Sequence, residues 1–523
     1  MRYFLLVVAQ LLVGFALLAQ QRPGFYNVRA YGATGDGKTL DTPAINKAID
    51  AAAAAGGGTV YFPAGTYASF SIHLKSNIAL FIDQGATVLA AEPPANGTGG
   101  YDAAEPNEST KFQDFGHSHW HNSLIWGENL VNVSILGTGL IDGKKGLTRE
   151  GTRTPGMANK AIALKLCRNV LIRDITVLYG GHFGILATGI DNFTVDNVKM
   201  DTNRDGIDVD CCRHVRISNC TINSPFDDAI CLKSSYALGF ARATENVTIT
   251  NCEVSGFDRG TFFDGTYQRK EAALVPDKMD VTGRIKFGTE SNGGFKNITI
   301  SNCVFEFCRG LALETVDGGI LEDVTITNIT MRDIVNSPFF LRLGARMRGP
   351  EGTPVGVLRR VKISNVVVYN ADVKYGSIIS GIPGHDIEDV TLDNIRIEFQ
   401  GGGTKEQATI NPAEGEKDYP DPGHMGDMPS YGFFMRHVKG IEMRNIDIRY
   451  QKDDQRPPFV LVDVKDINLR NIKAQHLTSV PAFTLQAVSN LSIKDSEVLA
   501  DKKVKQMVKG KLQQTVEPAL AQP

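Results

Sequence analysis

No cysteine occurs before position 167 of this 523-residue chain, and no Cys-x-x-Cys pair occurs anywhere in it. The first absence removes a lipid-attachment cysteine behind an exported N-terminus; the second removes the usual thiolate zinc sites. Charge of one sign is lacking as well. Fifty-five Lys and Arg face 58 Asp and Glu, a net charge of -3, so no basic field gathers nucleic acid. After residue 18 no apolar run approaches the roughly 20 residues needed to cross a bilayer. Neither nucleic acid nor a membrane is an expected partner. Aromatics make up 8% of the chain, but 53 residues are Gly, and 42% are hydrophobic against 22% charged. That balance suits short strands and many turns, an all-β chain rather than a helical bundle.

At the start, Arg2 precedes an apolar run from Phe4 to Leu18, followed by Ala19-Gln20-Gln21. A charged start, a short apolar stretch and a small residue read as a signal peptide over 1–19. The expected protein is exported, to the periplasm or beyond, with the leader as its single membrane contact.

The rest is organised by a repeat. Val215-Arg216-Ile217-Ser218-Asn219-Cys220 returns as Val247-Thr248-Ile249-Thr250-Asn251-Cys252, as Ile298-Thr299-Ile300-Ser301-Asn302-Cys303, and in weaker copies up to Ile467-Asn468-Leu469-Arg470-Asn471-Ile472. Each copy alternates apolar and polar residues, as a strand with one buried face does. Each then places Asn at one fixed point: 197, 219, 251, 302, 328, 365, 394, 445 and 471. Asn tolerates the left-handed backbone region, so a column of Asn marks the same bend in successive turns of a solenoid. Stacked parallel strands then bury a continuous Val/Ile/Leu interior that no single coil buries alone. The reading is one right-handed parallel β-helix domain.

Asp41-Thr42-Pro43, followed by Ala44 to Ala55 and three Gly, predicts a helix with Pro in its first turn that seals the open end. The organisation expected is a signal peptide over 1–19, a cap with the first coils over 20–115, the catalytic β-helix over 116–500, and a weakly ordered Lys- and Gln-rich tail over 501–523. Residues 400–430, rich in Gly, Pro and charge, predict an extruded loop. Cys220, Cys252 and Cys303 follow column Asn residues and are expected to stack as reduced thiols; a bridge among Cys211, Cys212 and Cys231 is the alternative. Asn246-Val247-Thr248 and Asn297-Ile298-Thr299 come from the repeat itself and are not taken as glycosylation sites. The chain is expected to be a monomer.

Chemistry concentrates in Asn203-Arg204-Asp205-Gly206-Ile207-Asp208 and in Asp227-Asp228-Ala229-Ile230. Asp205 lies eight residues beyond Asn197, and Asp227 eight beyond Asn219. The same station on adjacent coils, about 4.8 Å apart, gathers Asp205, Asp227 and Asp228 into one patch. Such a patch suits acid/base glycoside hydrolysis, and equally a solvated acidic turn or a calcium site. Like charges that close raise at least one pKa. Adjacent residues of a flat strand point to opposite faces, so Asp227 and Asp228 are expected at a bend.

These two segments resemble the Asn-Thr-Asp and Asp-Asp motifs of the family 28 glycoside hydrolases, the polygalacturonase and rhamnogalacturonase group. Tyr31-Gly32-Ala33-Thr34-Gly35-Asp36-Gly37, Val60 to Tyr67 and Gly139-Leu140-Ile141-Asp142-Gly143 extend the likeness over most of the chain. The resemblance implies an inverting hydrolase of pectic polymers with no cofactor and no metal. Asp227 is then the general acid, while Asp205 and Asp228 hold and deprotonate the water, and Asp227 leans away to leave about 6.5–9.5 Å between acid and base. Two departures stand out. The family His of Gly-His-Gly is missing, with Arg284 (before Ile285-Lys286-Phe287-Gly288) or Arg259 in its place. The family Arg-Ile-Lys, which holds a uronate, aligns with Ala312-Leu313-Glu314, so Glu314 repels a uronate unless it is neutralised. Asn203, His182, Lys233 and Lys286 complete the candidate substrate-binding set, with Lys233 paired to the Asp cluster. The cluster His117-Ser118-His119-Trp120-His121 lies far upstream and lacks a metal-ligand spacing; Trp120 is read as a packing or sugar-stacking ring. The competing readings are a pectate-lyase-like enzyme on the same scaffold, which needs calcium, and a non-catalytic carbohydrate-binding β-helix.

Overall fold

The computed structural model describes residues 24–94, 99–150, 154–269 and 281–512; the expected leader over 1–19 lies outside them. The chain winds as a right-handed parallel β-helix. Every strand pairing among the described residues is parallel except the last, in which Lys502–Leu512 runs antiparallel to Phe483–Lys494. Part of the tail expected to be weakly ordered is therefore a strand. Its alternation of Lys with Val504 and Leu512 lets it close the open C-terminal edge while its charges stay in water.

Alternation along the strands does what the repeat predicts. In Phe295–Glu306 the apolar residues Ile298, Ile300, Cys303 and Phe305 are buried while Asn297, Thr299 and Asn302 face solvent. Ile298 is in register with Val324, Val361, Val390, Ile441, Ile467 and Leu491 on successive coils. Each such rung contributes on the order of 1.5–3 kcal/mol of apolar burial.

The Asn column is real in both backbone and side chain. Asn219, Asn251, Asn302, Asn328, Asn365, Asn394, Asn445 and Asn471 have φ between 52° and 57°. Their amides form a ladder: Asn328 donates to Asn302 at 3.0 Å, Asn394 to Asn365 at 2.8 Å and Asn471 to Asn445 at 2.8 Å. A second left-handed column, not foreseen, runs through Asn132, Asn169, Asn192, Asn246 and Asn297. Asn297 donates to Asn246 at 2.7 Å, so both Asn-x-Thr sites belong to the scaffold. All eight cysteines are free and buried, and Cys220, Cys252 and Cys303 line up one behind another.

The helix Thr42–Ala54 packs Ile45, Ala48, Ile49 and Ala52 against the first coils, with Pro43 in its first turn. Asp41 occupies the cap position, yet its side chain does not cap the helix. It accepts instead from the backbone N–H of Thr34 at 2.8 Å and of Gly35 at 3.0 Å, pinning the preceding turn. At the exit, a Cβ on Gly57 would stand 2.6 Å from the Asn77 carbonyl oxygen, and φ there is +131°.

One lateral sheet positions the chemistry. Its strands include Phe183–Thr188, Asp205–Asp210, Ile230–Ser234, Ile285–Ser291, Leu311–Thr315, Phe339–Leu343 and Ser377–Ser380. One outward row of this sheet runs Asp208, Cys231, Lys286, Ala312, Phe340, Ile378, Phe434, Val460, Thr484. The segment 402–432 leaves the helix beyond Gly401 as the expected loop and lies along this face.

Candidate active site

Asp205 opens its strand directly after the bend at 203–204, and Asp227 ends the bend at 225–227 of the next coil, with Asp228 directly after it. The bend expected for two adjacent acids is present. The coils approach closely because Gly206 follows Asp205: its N–H donates to the Asp228 carbonyl at 2.9 Å, and a Cβ there would meet the Ala229 carbonyl at 2.4 Å. One oxygen from each of the three carboxylates lies within 4.8 Å of the other two, and each residue is 5% exposed or less.

That convergence is tighter than the expected lean of Asp227 away from the others. Its cause is a shared donor, the Asp228 N–H, which points to Oδ1 of Asp205 at 3.1 Å and Oδ1 of Asp227 at 3.2 Å. Burial pushes the Asp205 carboxyl well above the usual carboxylate range, with repulsion from Asp227 and Asp208 adding to it. On its other side Asp227 Oδ2 accepts from Arg204 Nε at 2.9 Å.

Arg204 also ties in His182. Its Nη1 lies 2.8 Å from the ring nitrogens, while Nδ1 of His182 is 2.6 Å from the Arg149 carbonyl oxygen. His182 therefore donates from Nδ1 and accepts at Nε2 as a neutral imidazole, its pKa driven well down by burial and by Arg204. Asn203 points backwards along the solenoid, its Oδ1 accepting from the Gly181 N–H at 2.9 Å. It holds the turn that carries His182.

Asp228 meets the other cations. Arg284 Nε is 2.9 Å from its Oδ1 and Lys286 Nζ is 3.5 Å from its Oδ2. Arg284 thus comes to lie beside the acidic cluster, whereas Arg259 stacks its guanidinium over Phe226 at 4.9 Å, with Arg149 over the same ring at 5.0 Å. Glu314 lies at 3.6 Å from Arg284 and 3.5 Å from Lys286, so both cations are shared between Asp228 and Glu314. Those two acids hold the pKa of Lys286 well above its ordinary value, and burial raises that of Glu314. The neutralisation that Glu314 requires is supplied by these two side chains.

Lys233 does not pair with the three Asp. In register with Asp210, it places Nζ 3.5 Å from Asp208 Oδ2 and 3.4 Å from Glu290 Oε2, one row along the face. His117 arrives there too, Nε2 3.3 Å from Asp208 Oδ2, although its position in the sequence had set it far from the site. The three histidines of that cluster part company: His119 Nδ1 lies 2.6 Å from the Glu105 carbonyl and His121 stacks on Trp126. Trp120 is wholly buried against Ala163, Phe183 and Leu186 and donates to Thr188 Oγ1 at 3.0 Å, a packing ring.

Several groups at the site are not among the residues to which the sequence assigned a role. Arg204 lies inside the Asn203–Asp208 motif, and Asp208 follows Asp205 by three on the same strand. Glu290 and Arg346 extend the buried ion-pair chain to Asp317. Tyr419 and Asp421 come from the loop over 402–432, Tyr419 Oη 3.1 Å from Lys286 Nζ and Asp421 ion-paired with Arg309. The insertion after Asp258 is described to residue 269; residues 270–280 lie outside the described residues.

Residues 107–259 match the family model described as glycosyl hydrolases family 28, and residues 25–169 match that of rhamnogalacturonase A/epimerase, pectate lyase-like. A probable polygalacturonase of Vitis vinifera is 24% identical over 425 residues, 77% of this chain and 80% of that protein. The plasmin and fibronectin-binding protein A of Streptococcus pneumoniae is 36% identical over 182 residues, 33% of this chain but 24% of that protein. Among solved structures, a family 28 exopolygalacturonase of Yersinia enterocolitica superposes with a TM-score of 0.63 at 19% identity, covering 87% of this chain and 80% of that one. That likeness is one of fold.

Proposed function

We propose that the chain is a member of family 28 of the glycosyl hydrolases, whose model matches residues 107–259, and an exported enzyme that trims pectic chains from one end by inverting, two-carboxylate hydrolysis. The observation that carries the proposal is the meeting of Asp205, Asp227 and Asp228 within 4.8 Å on the lateral face.

The roles follow from the charges around each acid. Asp228, flanked by Arg284 and Lys286, is the ionised member and takes the proton of the attacking water. Asp205 and Asp227 share one N–H, and burial with repulsion from Asp227 holds the Asp205 carboxyl well above the usual range, so a proton is kept at this end of the cluster. Asp227 delivers that proton to the leaving oxygen. His182 and Arg204 are positioning residues: the neutral ring fixes the guanidinium, and the guanidinium fixes Asp227. The oxygens are closer together than the roughly 6.5–9.5 Å of an inverting pair, so the anomeric configuration of the product is a direct test of this part.

End-on action is supported by the loop over 402–432, which reaches back to Lys286 and Arg309 and walls the cleft on its C-terminal side. An uncharged sugar beside Glu314 is supported by the pairing there, because Arg284 and Lys286 are already shared between two acids. Rhamnogalacturonan-derived chains meet that condition better than plain galacturonan. Export rests on the leader expected over 1–19, and the N-terminal sequence of the secreted protein tests it.

A second reading is favoured by the same oxygens, since three carboxylates this close also suit a divalent cation, as a calcium-dependent lyase of pectin requires. One experiment separates them. Purified protein is incubated with homogalacturonan, rhamnogalacturonan and their short oligomers while product length and anomeric configuration are read by NMR. Saturated, short products of inverted configuration are expected; unsaturated products that vanish with chelator establish the lyase.

A further inference from the structure

Beyond the loop over 402–432, the lateral face that carries the three acids continues into a groove of about 660 Å³. Phe434, Val460 and Thr484, which line it, belong to the same outward row as Asp208 and Lys286, so groove and acids share one side of the solenoid, with the loop between them. The loop forms the near wall through Lys405 to Pro412, and the antiparallel final strand forms the far wall through Lys509 and Lys511.

The groove has a charge of one sign. Lys405, Lys509 and Lys511 line it, no Asp or Glu does, and Lys509 and Lys511 are exposed and make no ion pair among the described residues. The rest of the lining pairs apolar surface, from Ile410, Pro457, Val460 and Pro481, with the amides of Asn411, Gln455 and Gln486. That is a concave, partly apolar surface with a few convergent donors and an unbalanced positive edge. The acidic site is the opposite: each of Arg204, Arg284, Lys286 and Lys233 is engaged by an acid.

We propose that this groove is a second binding site, taking a uronate-bearing stretch of the pectic polymer while the cleavage site acts on a chain end. The proposal rests on the pectic substrate class proposed above, and it gives the chain a place to hold the carboxylates that its cleavage site does not accommodate. Anionic sugar rings lie against the proline and valine surface, and their carboxylates meet Lys509 and Lys511 from one side and Lys405 from the other.

The test measures equilibrium binding of an oligogalacturonate long enough to fill the groove, at low and high salt. It compares the full chain with a Lys509→Gln/Lys511→Gln variant and, separately, with Lys405→Gln. All three side chains are exposed, so folding is not at stake. The double variant is expected to bind about 5- to 30-fold more weakly, the single variant less so, and salt should weaken binding to the unaltered chain most. Turnover of short oligomers should not change, while KM for the polymer rises. Binding that ignores the lysines, equal binding of an uncharged glucan, or no binding of oligogalacturonate overturns the proposal. If instead the groove binds as expected but the unaltered chain cleaves no pectic substrate, the catalytic reading fails and this one stands.

Discussion

The backbone N–H of Asp228 donates to Oδ1 of Asp205 from the preceding coil at 3.1 Å, so a main-chain donor of one coil holds the carboxylate of its neighbour in the acidic cluster. Substituting either acid by Asn therefore removes charge without moving the bend. Asp205→Asn, Asp227→Asn and Asp228→Asn should each lower kcat by about 10²–10⁴ while leaving KM close to its original value. Because the acids act as a unit, the double variants should be little worse than the singles. An Asp227→Asn protein with full turnover would remove Asp227 from the role of general acid, and an unaltered chain with no turnover would return it to the non-catalytic class.

Asp205 predicts a pH signature with a definite sign. Burial and its acidic neighbours hold its carboxyl well above the ordinary 3.8. The folded chain then keeps a proton that the unfolded chain releases, so this contribution to stability is complete below about pH 3.8 and is lost as pH rises through the elevated value. Urea unfolding of the unaltered protein and of Asp205→Asn across pH 4–8, a range in which folded proteins are ordinarily stable, reads the difference. The variant should gain relative stability toward the upper end; a constant gap across the range contradicts the assignment.

Lys233 is buried between Asp208 and Glu290, and neither acid has a water-exposed alternative. Lys233→Met leaves two buried charges with less compensation and should cost about 3–5 kcal/mol in urea unfolding. Adding Asp208→Asn to that variant should restore part of the loss, because it deletes the charge that was left over. Independent, additive losses would mean that the two side chains do not form one network.

In the function proposed, the loop over 402–432 is the wall that makes cleavage end-on. Replacing residues 405–427 with a short Gly-Ser link should leave the acids in place and convert monomer-sized products into a ladder of oligomers from intact polymer. Chromatography of early products decides it, and a ladder already present with the unaltered protein would remove the loop from the argument.

Chelator should leave turnover unchanged, since hydrolysis by the three carboxylates needs no metal in the mechanism proposed. Loss of activity on chelation, restored by calcium, would move the protein to the lyase reading.

The parts of this molecule legible in the sequence are those written within one coil. The Asn at 219, 251 and 302, the alternation around them and the eight-residue offset to Asp205 and Asp227 are local patterns with a single geometric meaning. What was not legible arrives from elsewhere in the chain. His117 reaches Asp208 from 91 positions upstream, and Tyr419 reaches Lys286 from 133 positions downstream, through loops whose paths no periodicity describes. Asp41 shows a subtler limit: its type and place are those of a helix cap, but the side chain turns to two backbone donors in the turn before it.

The ladder of asparagine amides along one corner has an implication for how such a molecule diversifies. Consecutive column positions are separated by anything from 22 to 51 residues, yet the same corner recurs in line each time. Length is thus free to vary at the remaining corners while this edge keeps the pitch, much as a binding keeps pages aligned whatever is folded into them. New walls, lids and sugar-reading loops can be acquired there one coil at a time, and the acids two coils away will stay where they are.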